Sequence, residues 1–296
     1  MWRRKRLPVH TTLIITSYNQ PKSLPLVLEA IARQTHPVDE IIIADDGSKQ
    51  PTFDAIEQSR ARFKLPIKAV ITQADKGFRK DRALNKAILA STGQQLLFLD
   101  GDIVTSPYWV ARHVRSYRPK GYTAGAYVRL TFEQSMEIDR SGVSQINWSD
   151  YLRRAAFNYE TIKRFVKNEL GILLGANNKP RVAGGNLSID RGLLFGVNGF
   201  DERYEGYGSG DADLRNRMNN YGGRPTSLLF RTLALHLNHG VDVGRPLPQK
   251  STNYAKRDLG VYAESKRSQW ARNGLTSHSP AGVNPATESL ELAQDA

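Results

Sequence analysis

Two rhythms of hydrophobic and polar residues alternate through the first hundred positions. Short, nearly continuous apolar runs read as strands: Thr12-Leu13-Ile14-Ile15-Thr16, Glu40-Ile41-Ile42-Ile43-Ala44, Ile67-Lys68-Ala69-Val70-Ile71 and Gln95-Leu96-Leu97-Phe98-Leu99. Between them, apolar residues recur at three- and four-residue spacing, as Leu24, Val27, Leu28 and Ile31 do, which is the stripe of an amphipathic helix. A first helix is expected from about Ser23, with Pro25 tolerated in its first turn. Further helices are expected over 51–63 and 81–89. Strands that are apolar throughout are buried on both faces, and the intervening helices supply the cover. The expected fold is therefore α/β and Rossmann-like, with a mostly parallel central sheet flanked by helices.

Residues 120–180 are less regular and contain one expected helix over 151–170, with Leu152, Ala155, Ala156, Tyr159, Ile162 and Val166 on one side. Order resumes at Ala183-Gly184-Gly185-Asn186-Leu187-Ser188-Ile189, followed by a helical stretch to Phe200. A glycine-rich loop over 206–210, a helix over 211–221 and a strand over 228–237 complete the pattern. The reading is one domain over 8–242, with halves at 10–118 and 180–242 separated by a helical insertion at 120–180, and a polar tail over 245–296.

In parallel sheets, ligands lie at the carboxyl ends of the strands. Ser17-Tyr18-Asn19, Asp45-Asp46-Gly47-Ser48 and Asp100-Gly101-Asp102 all fall there. Each alone is also good turn chemistry, and Ser48 could cap the helix that follows. Paired carboxylates at a strand exit can instead hold a hard divalent cation that takes its other oxygens from a diphosphate. Arg79 and Arg82 offer fork geometry for phosphate oxygens. Asp211 opens a helix, where it can cap the N-terminus, act as a general base, or do both. His236 and His239, three apart at a strand end beside these acids, suit a metal.

Bulk properties narrow the classes. The 296 residues include no cysteine, which excludes disulfides, thiolate metal sites and a cysteine nucleophile. A net charge of +13 favours anionic partners. The basic cluster Trp2-Arg3-Arg4-Lys5-Arg6 lacks a following apolar core, and no apolar run approaches the roughly 20 residues that cross a bilayer. The chain reads as cytoplasmic, or peripheral on the inner face of the cytoplasmic membrane through anionic lipid. Zinc-finger spacing, RNP-type aromatics and a basic helix are missing from the sequence, so nucleic acid is not an expected partner.

Taken together, the motifs resemble a known family. Residues 13–48, with Ser17-Tyr18-Asn19 and Ala44-Asp45-Asp46-Gly47-Ser48, resemble the nucleotide-binding half of family 2 glycosyltransferases of the GT-A fold, and Phe98-Leu99-Asp100-Gly101-Asp102 is similar to their DXD motif. Gly184-Gly185-Asn186, Val197-Asn198-Gly199-Phe200-Asp201-Glu202 and the 206–211 loop resemble a galactosyltransferase-type half, as in chondroitin-polymerase-like and bacterial envelope-polysaccharide or lipopolysaccharide transferases. The resemblance covers residues 10–242. It implies inverting transfer of a hexose or N-acetylhexosamine from a UDP-sugar to a hydroxyl of a glycan or lipid-linked glycan, with Mn2+ or Mg2+. Ser17, Tyr18, Asn19, Asp45, Asp46, Arg79, Arg82 and Asp100 would bind the donor. Asp102 and His239 would hold the metal, with His236 in reserve, and Asp211 would be the base. Gly185, Asn186, Tyr207 and Asp213 would face the acceptor. The pattern departs from the family's Gly-Trp-Gly-x-Glu-Asp at Tyr207 and Gly210, and the missing Glu is one that holds acceptor. Two other readings keep part of this fold: a sugar-sensing relative of weak activity, and a nucleotidyltransferase. The second expects a glycine-rich basic loop where Ser17-Tyr18-Asn19-Gln20-Pro21 stands.

Overall fold

The computed structural model describes residues 9–156, 159–176, 178–206, 208–243 and 260–278. The four apolar runs form parallel strands: β1 (Thr11–Ser17), β2 (Glu40–Asp45), β3 (Ile67–Ile71) and β4 (Gln95–Asp100). Side chains alternate across the pleat, so Leu13, Ile15, Ile41, Ile43, Leu97 and Leu99 enter one core, and Ile14, Ile42, Leu96 and Phe98 enter the other. Each fully buried aliphatic side chain of this kind stabilises the fold by about 1.5–3 kcal/mol. Helix α1 (Ser23–Ala32) packs on the first face; α2 (Gln50–Phe63) packs on α1. Helix α3 (Lys80–Ala90) covers the second face.

Beyond β4 the chain makes β5 (Ile103–Thr105), α4 (Trp109–Arg115), β6 (Gly121–Ala124), β7 (Val128–Arg129) and α5 (Phe132–Ser141). Helices α6 (Trp148–Ala156) and α7 (Tyr159–Leu173) then lead to β8 (Asn186–Asp190), α8 (Arg191–Gly196), α9 (Gly210–Asn220), β9 (Arg224–Ser227), β10 (Ala234–His236) and α10 (Val261–Ser265). The main sheet has the order β3-β2-β1-β4-β8-β6-β9, with β8 antiparallel to both neighbours, and a small sheet has the order β5-β10-β7. The α/β expectation of a mostly parallel sheet between helices holds.

Two local expectations need correction. Residues 120–180 carry helices but also β6, an interior strand of the main sheet; its four residues Gly-Tyr-Thr-Ala are too short a run to stand out. Residues 228–237 are not one strand. The amides of Arg231 and Thr232 both return to the Leu228 carbonyl (2.9 and 3.0 Å), making a turn with buried flanks and an exposed Arg231 before β10. An apolar run cannot distinguish such a turn from a buried strand. The sheet edge is β9, whose Pro225 is tolerated because an edge strand need not donate on both sides. Among the described residues, no helix is long and apolar enough to cross a membrane.

Candidate active site

Strand register builds the first half of the site. Ser17 pairs with Asp45 and Thr16 with Asp100, so the carboxyl ends of β2, β1 and β4 lie level. They floor a pocket of about 350 Å3 bordered by Ser17, Tyr18, Asp46, Lys80, Asp100, Asp102, His236 and His239. Asp45 and Asp46 divide their work. Asp45 is fully buried and accepts from the Gly47 and Ser48 amides (3.0 and 2.8 Å) and the Thr72 hydroxyl (3.0 Å). Its oxygens hold the turn, which corrects its expected donor role. Asp46 borders the pocket and accepts from the Arg79 amide at 2.7 Å and from the Gln73 side chain. Burial pushes its carboxyl above the usual range, against those two hydrogen bonds.

Asn19, in a left-handed conformation (φ 49°), accepts from the Lys49 amide at 2.9 Å and donates its own amide to Ser48. It braces the rim rather than lining the pocket. Arg82 is exposed on α3, away from the pocket, and Arg79 contributes its backbone amide. The cation that enters from this segment is Lys80, which the sequence reading missed. Its ammonium donates to Asp100 at 2.5 Å, and Thr16 donates to the same carboxylate oxygen at 2.9 Å. Burial alone would raise the Asp100 carboxyl; Lys80 outweighs it and holds the group below its usual range.

The metal candidates meet through the small sheet. Ile103 pairs with His236, and the Leu237 amide donates to the Asp102 carbonyl at 2.8 Å. His236 Nδ1 lies 2.9 Å from the Leu237 carbonyl, which assigns the proton to Nδ1 and frees Nε2. That Nε2 is 3.7 Å from one Asp102 oxygen, and His239 Nε2 is 3.5 Å from the other. The three donor atoms lie within 4.8 Å of one another. His236, the reserve candidate, therefore belongs to the set. One carboxylate oxygen and two imidazole nitrogens fit a first-row transition ion better than Mg2+, which prefers oxygen ligands.

Asp211 closes the arrangement from the first turn of α9. Its Oδ2 accepts from the Gly184 amide at 2.9 Å. A Cβ on Gly184 would strike Asp211, and one on Gly185 would lie 2.6 Å from Asp100 Oδ2, so this glycine pair lets both carboxylates approach the same backbone. Burial pushes Asp211 above the usual carboxylate range, only partly offset by the nearby Lys80 charge. The departure at Gly210 coincides with a close neighbour. A Cβ there would sit 2.6 Å from Asp81 Oδ2, so a second carboxylate, from α3, stands beside Asp211 where a side chain at 210 would begin. Asp81 is itself raised well above its usual value, by burial first and then by the Asp211 charge. The 79–82 charge run signalled this segment, but not which of its side chains point inward.

Two acceptor candidates are structural instead. Asn186 is fully buried; its Oδ1 accepts from Trp109 Nε1 at 2.9 Å and its Nδ2 donates to the Ala126 carbonyl at 2.8 Å, tying α4 to β8. Asp213 forms a buried pair with Arg217 (2.7 Å), whose guanidinium also donates to the Val197 and Gly199 carbonyls at 2.8 Å. Tyr207 lies outside the described residues. A second cavity, about 580 Å3, opens beside Asp211 and shares Phe78 and Lys80 with the first. The arrangement is thus a metal-capable pocket and a second, polar cavity that meet at Phe78 and Lys80, with the raised Asp211 carboxylate on the wall of the second.

The sequence profile described as Glycosyl transferase family 2 matches residues 12–178, and that described as N-terminal domain of galactosyltransferase matches residues 175–241. Hyaluronan synthase of Pasteurella multocida is 25% identical over 253 residues, covering 74% of this chain and 24% of that enzyme. The structure resembles GalNAc-T7 with UDP, GalNAc and Mn2+ (TM-score 0.57, 14% identity, 88% of this chain and 48% of that one). It also resembles mannosyltransferase PcManGT from Pyrobaculum calidifontis with GDP-Man and Mn2+ (TM-score 0.54, 17% identity, 78% and 57% covered). The chain thus spans about a quarter of the hyaluronan synthase and about half of each solved chain. At these identities the structural likeness shows the fold alone, which is GT-A.

Proposed function

The chain belongs to glycosyltransferase family 2, and we propose that it is an inverting, metal-dependent transferase moving a hexose or N-acetylhexosamine from UDP to a hydroxyl of a glycan or lipid-linked glycan. The observation that carries this reading is that Asp100 and Asp211 meet the Gly184-Gly185 turn beside Lys80, while the Asp102–His236–His239 set lines the same pocket as Asp100 and Lys80. Support for a uridine donor comes from the motif order and from the UDP and Mn2+ in the GalNAc-T7 structure.

Asp102, His236 and His239 would hold Mn2+, which neutralises charge on a departing nucleoside diphosphate. Asp46 and Tyr18 border the same pocket and would meet the base and ribose. Lys80 keeps Asp100 ionised and presents a positive charge between the two cavities. Asp211 takes the proton from the attacking hydroxyl as the new glycosidic bond forms and the bond to the diphosphate breaks. Its raised proton affinity suits it to that role, because a base works best with a pKa near the working pH. Envelope-polysaccharide or lipopolysaccharide synthesis on the cytoplasmic face is the setting this chemistry fits.

Calorimetric titration with UDP tests the donor half. Binding should require Mn2+ and disappear with EDTA; equal affinity in both conditions contradicts the assignment.

A further inference from the structure

The cavity beside Asp211 carries more positive charge than the proposed transfer requires. Lys179, Arg181 and Arg215 line it, and among the described residues none has a carboxylate within ion-pair distance. Lys80, also on its wall, is matched by Asp100. Arg215 is only 5% exposed, one amino group donates to Asn216 at 2.8 Å, and its Nε–H meets no acceptor among the described residues. Burial disfavours the charged form of this guanidinium, which also hydrogen-bonds Tyr262, and an anion in the cavity would offset that cost. The cluster is also self-repelling: burial and then the charges of Arg181 and Arg215 lower the proton affinity of Lys179. The carboxylates on the wall are Asp211, which the reaction uses, and Asp81, which burial drives towards its neutral form.

We propose that Lys179, Arg181 and Arg215 bind an oxyanion on the acceptor, a carboxylate or phosphate carried by the sugar whose hydroxyl meets Asp211. This rests on the transferase reading above, since it places the acceptor in the second cavity. Guanidinium forks match both groups in charge and geometry, whereas a neutral sugar offers hydroxyl acceptors but no charge to offset the three cations. The cations come from the 178–182 segment and from the second turn of α9, so the anion would hold the acceptor on the side of Asp211 away from the metal set.

The test uses the full chain, titrated calorimetrically with methyl glucuronide, glucose 6-phosphate and neutral methyl glucoside, with and without saturating UDP and Mn2+. Anionic sugars should bind more tightly than the neutral one, and the stronger of the two identifies a carboxylate or a phosphate source. Arg181→Gln and Arg215→Gln should each weaken the anionic sugar about tenfold. Arg60→Gln, on exposed α2, should change nothing. Arg181 is exposed, so its variant remains informative if Arg215→Gln melts early. Equal binding of neutral and anionic sugars overturns the proposal. So does an Arg181→Gln variant that weakens UDP instead, which would make these cations diphosphate ligands. Failure of the unmodified chain to bind UDP overturns the donor reading separately, because the sugar titrations are also run without UDP.

Discussion

The donor half and the acceptor half of this molecule each place two acids close in sequence, and each divides them between fold and site. On the donor side Asp45 closes the turn after β2 while Asp46 faces the pocket. On the acceptor side Asp213 pairs with Arg217 inside the core while Asp211 faces the cavity. The difference lies in what surrounds the member that faces the site. The donor pocket gathers carboxylates and imidazoles that call for a cation, whereas the acceptor cavity gathers cations that call for an anion. On the proposed reading, opposite fields on two sides of one lysine would let a metal-bound leaving group and an anionic acceptor approach without competing for the same ligands.

Breaking the division should cost most where a buried charge is stranded. Asp213→Ala leaves Arg217 uncompensated and should lower unfolding free energy by about 3–5 kcal/mol, read by urea denaturation. Asp211→Asn should unfold close to the parent midpoint; equal losses would erase the contrast between the two acids. Next in size, Asp102→Ala should weaken Mn2+-dependent UDP binding by at least about a hundredfold, since removal of a metal's outer partners alone costs about 10–100-fold. Unchanged affinity would move the metal elsewhere.

Smaller effects sharpen the acceptor side. Gly210→Ala should cost roughly 1–3 kcal/mol by pressing on Asp81, and Asp81→Ala in the same chain should relieve it. Additive losses in that double-mutant cycle would mean the two positions do not collide. Last, turnover with saturating Mn2+ should fall as pH drops through the Asp211 pKa, because the base must be ionised to accept a proton. Burial raises that pKa, so the acid limb should lie above the range of an exposed aspartate, about 3.9. A limb at or below that value would remove Asp211 as the base.

The donor side was legible in sequence because its ligands sit at the ends of strands that announce themselves. Apolar runs ending in Asp45-Asp46 and Asp100-Gly101-Asp102 can only bring those groups to one edge of a parallel sheet. Even there, the pattern could not say that Asp45 spends its oxygens on a turn, because that depends on the amides of Gly47 and Ser48. The acceptor side was less legible because its parts come from separate elements. Asp81 from α3 fills the space at Gly210, and Arg181 and Arg215 come from distant segments. The family resemblance made Asn186 an acceptor candidate, yet its amide is taken up by Trp109 and Ala126. A polar residue in a motif is silent about which way it faces; the antiparallel insertion of β8 between β4 and β6 turned this one inward.

The most direct measurement is UDP release from a panel of UDP-sugars, with Mn2+ or EDTA, in the parent chain and Asp211→Asn, alongside UDP affinity for both. The account predicts Mn2+-dependent release, lost by about 10²–10⁴-fold in Asp211→Asn while UDP binds both chains equally. Release that survives EDTA, or an Asp211→Asn chain that turns over like its parent, would contradict it.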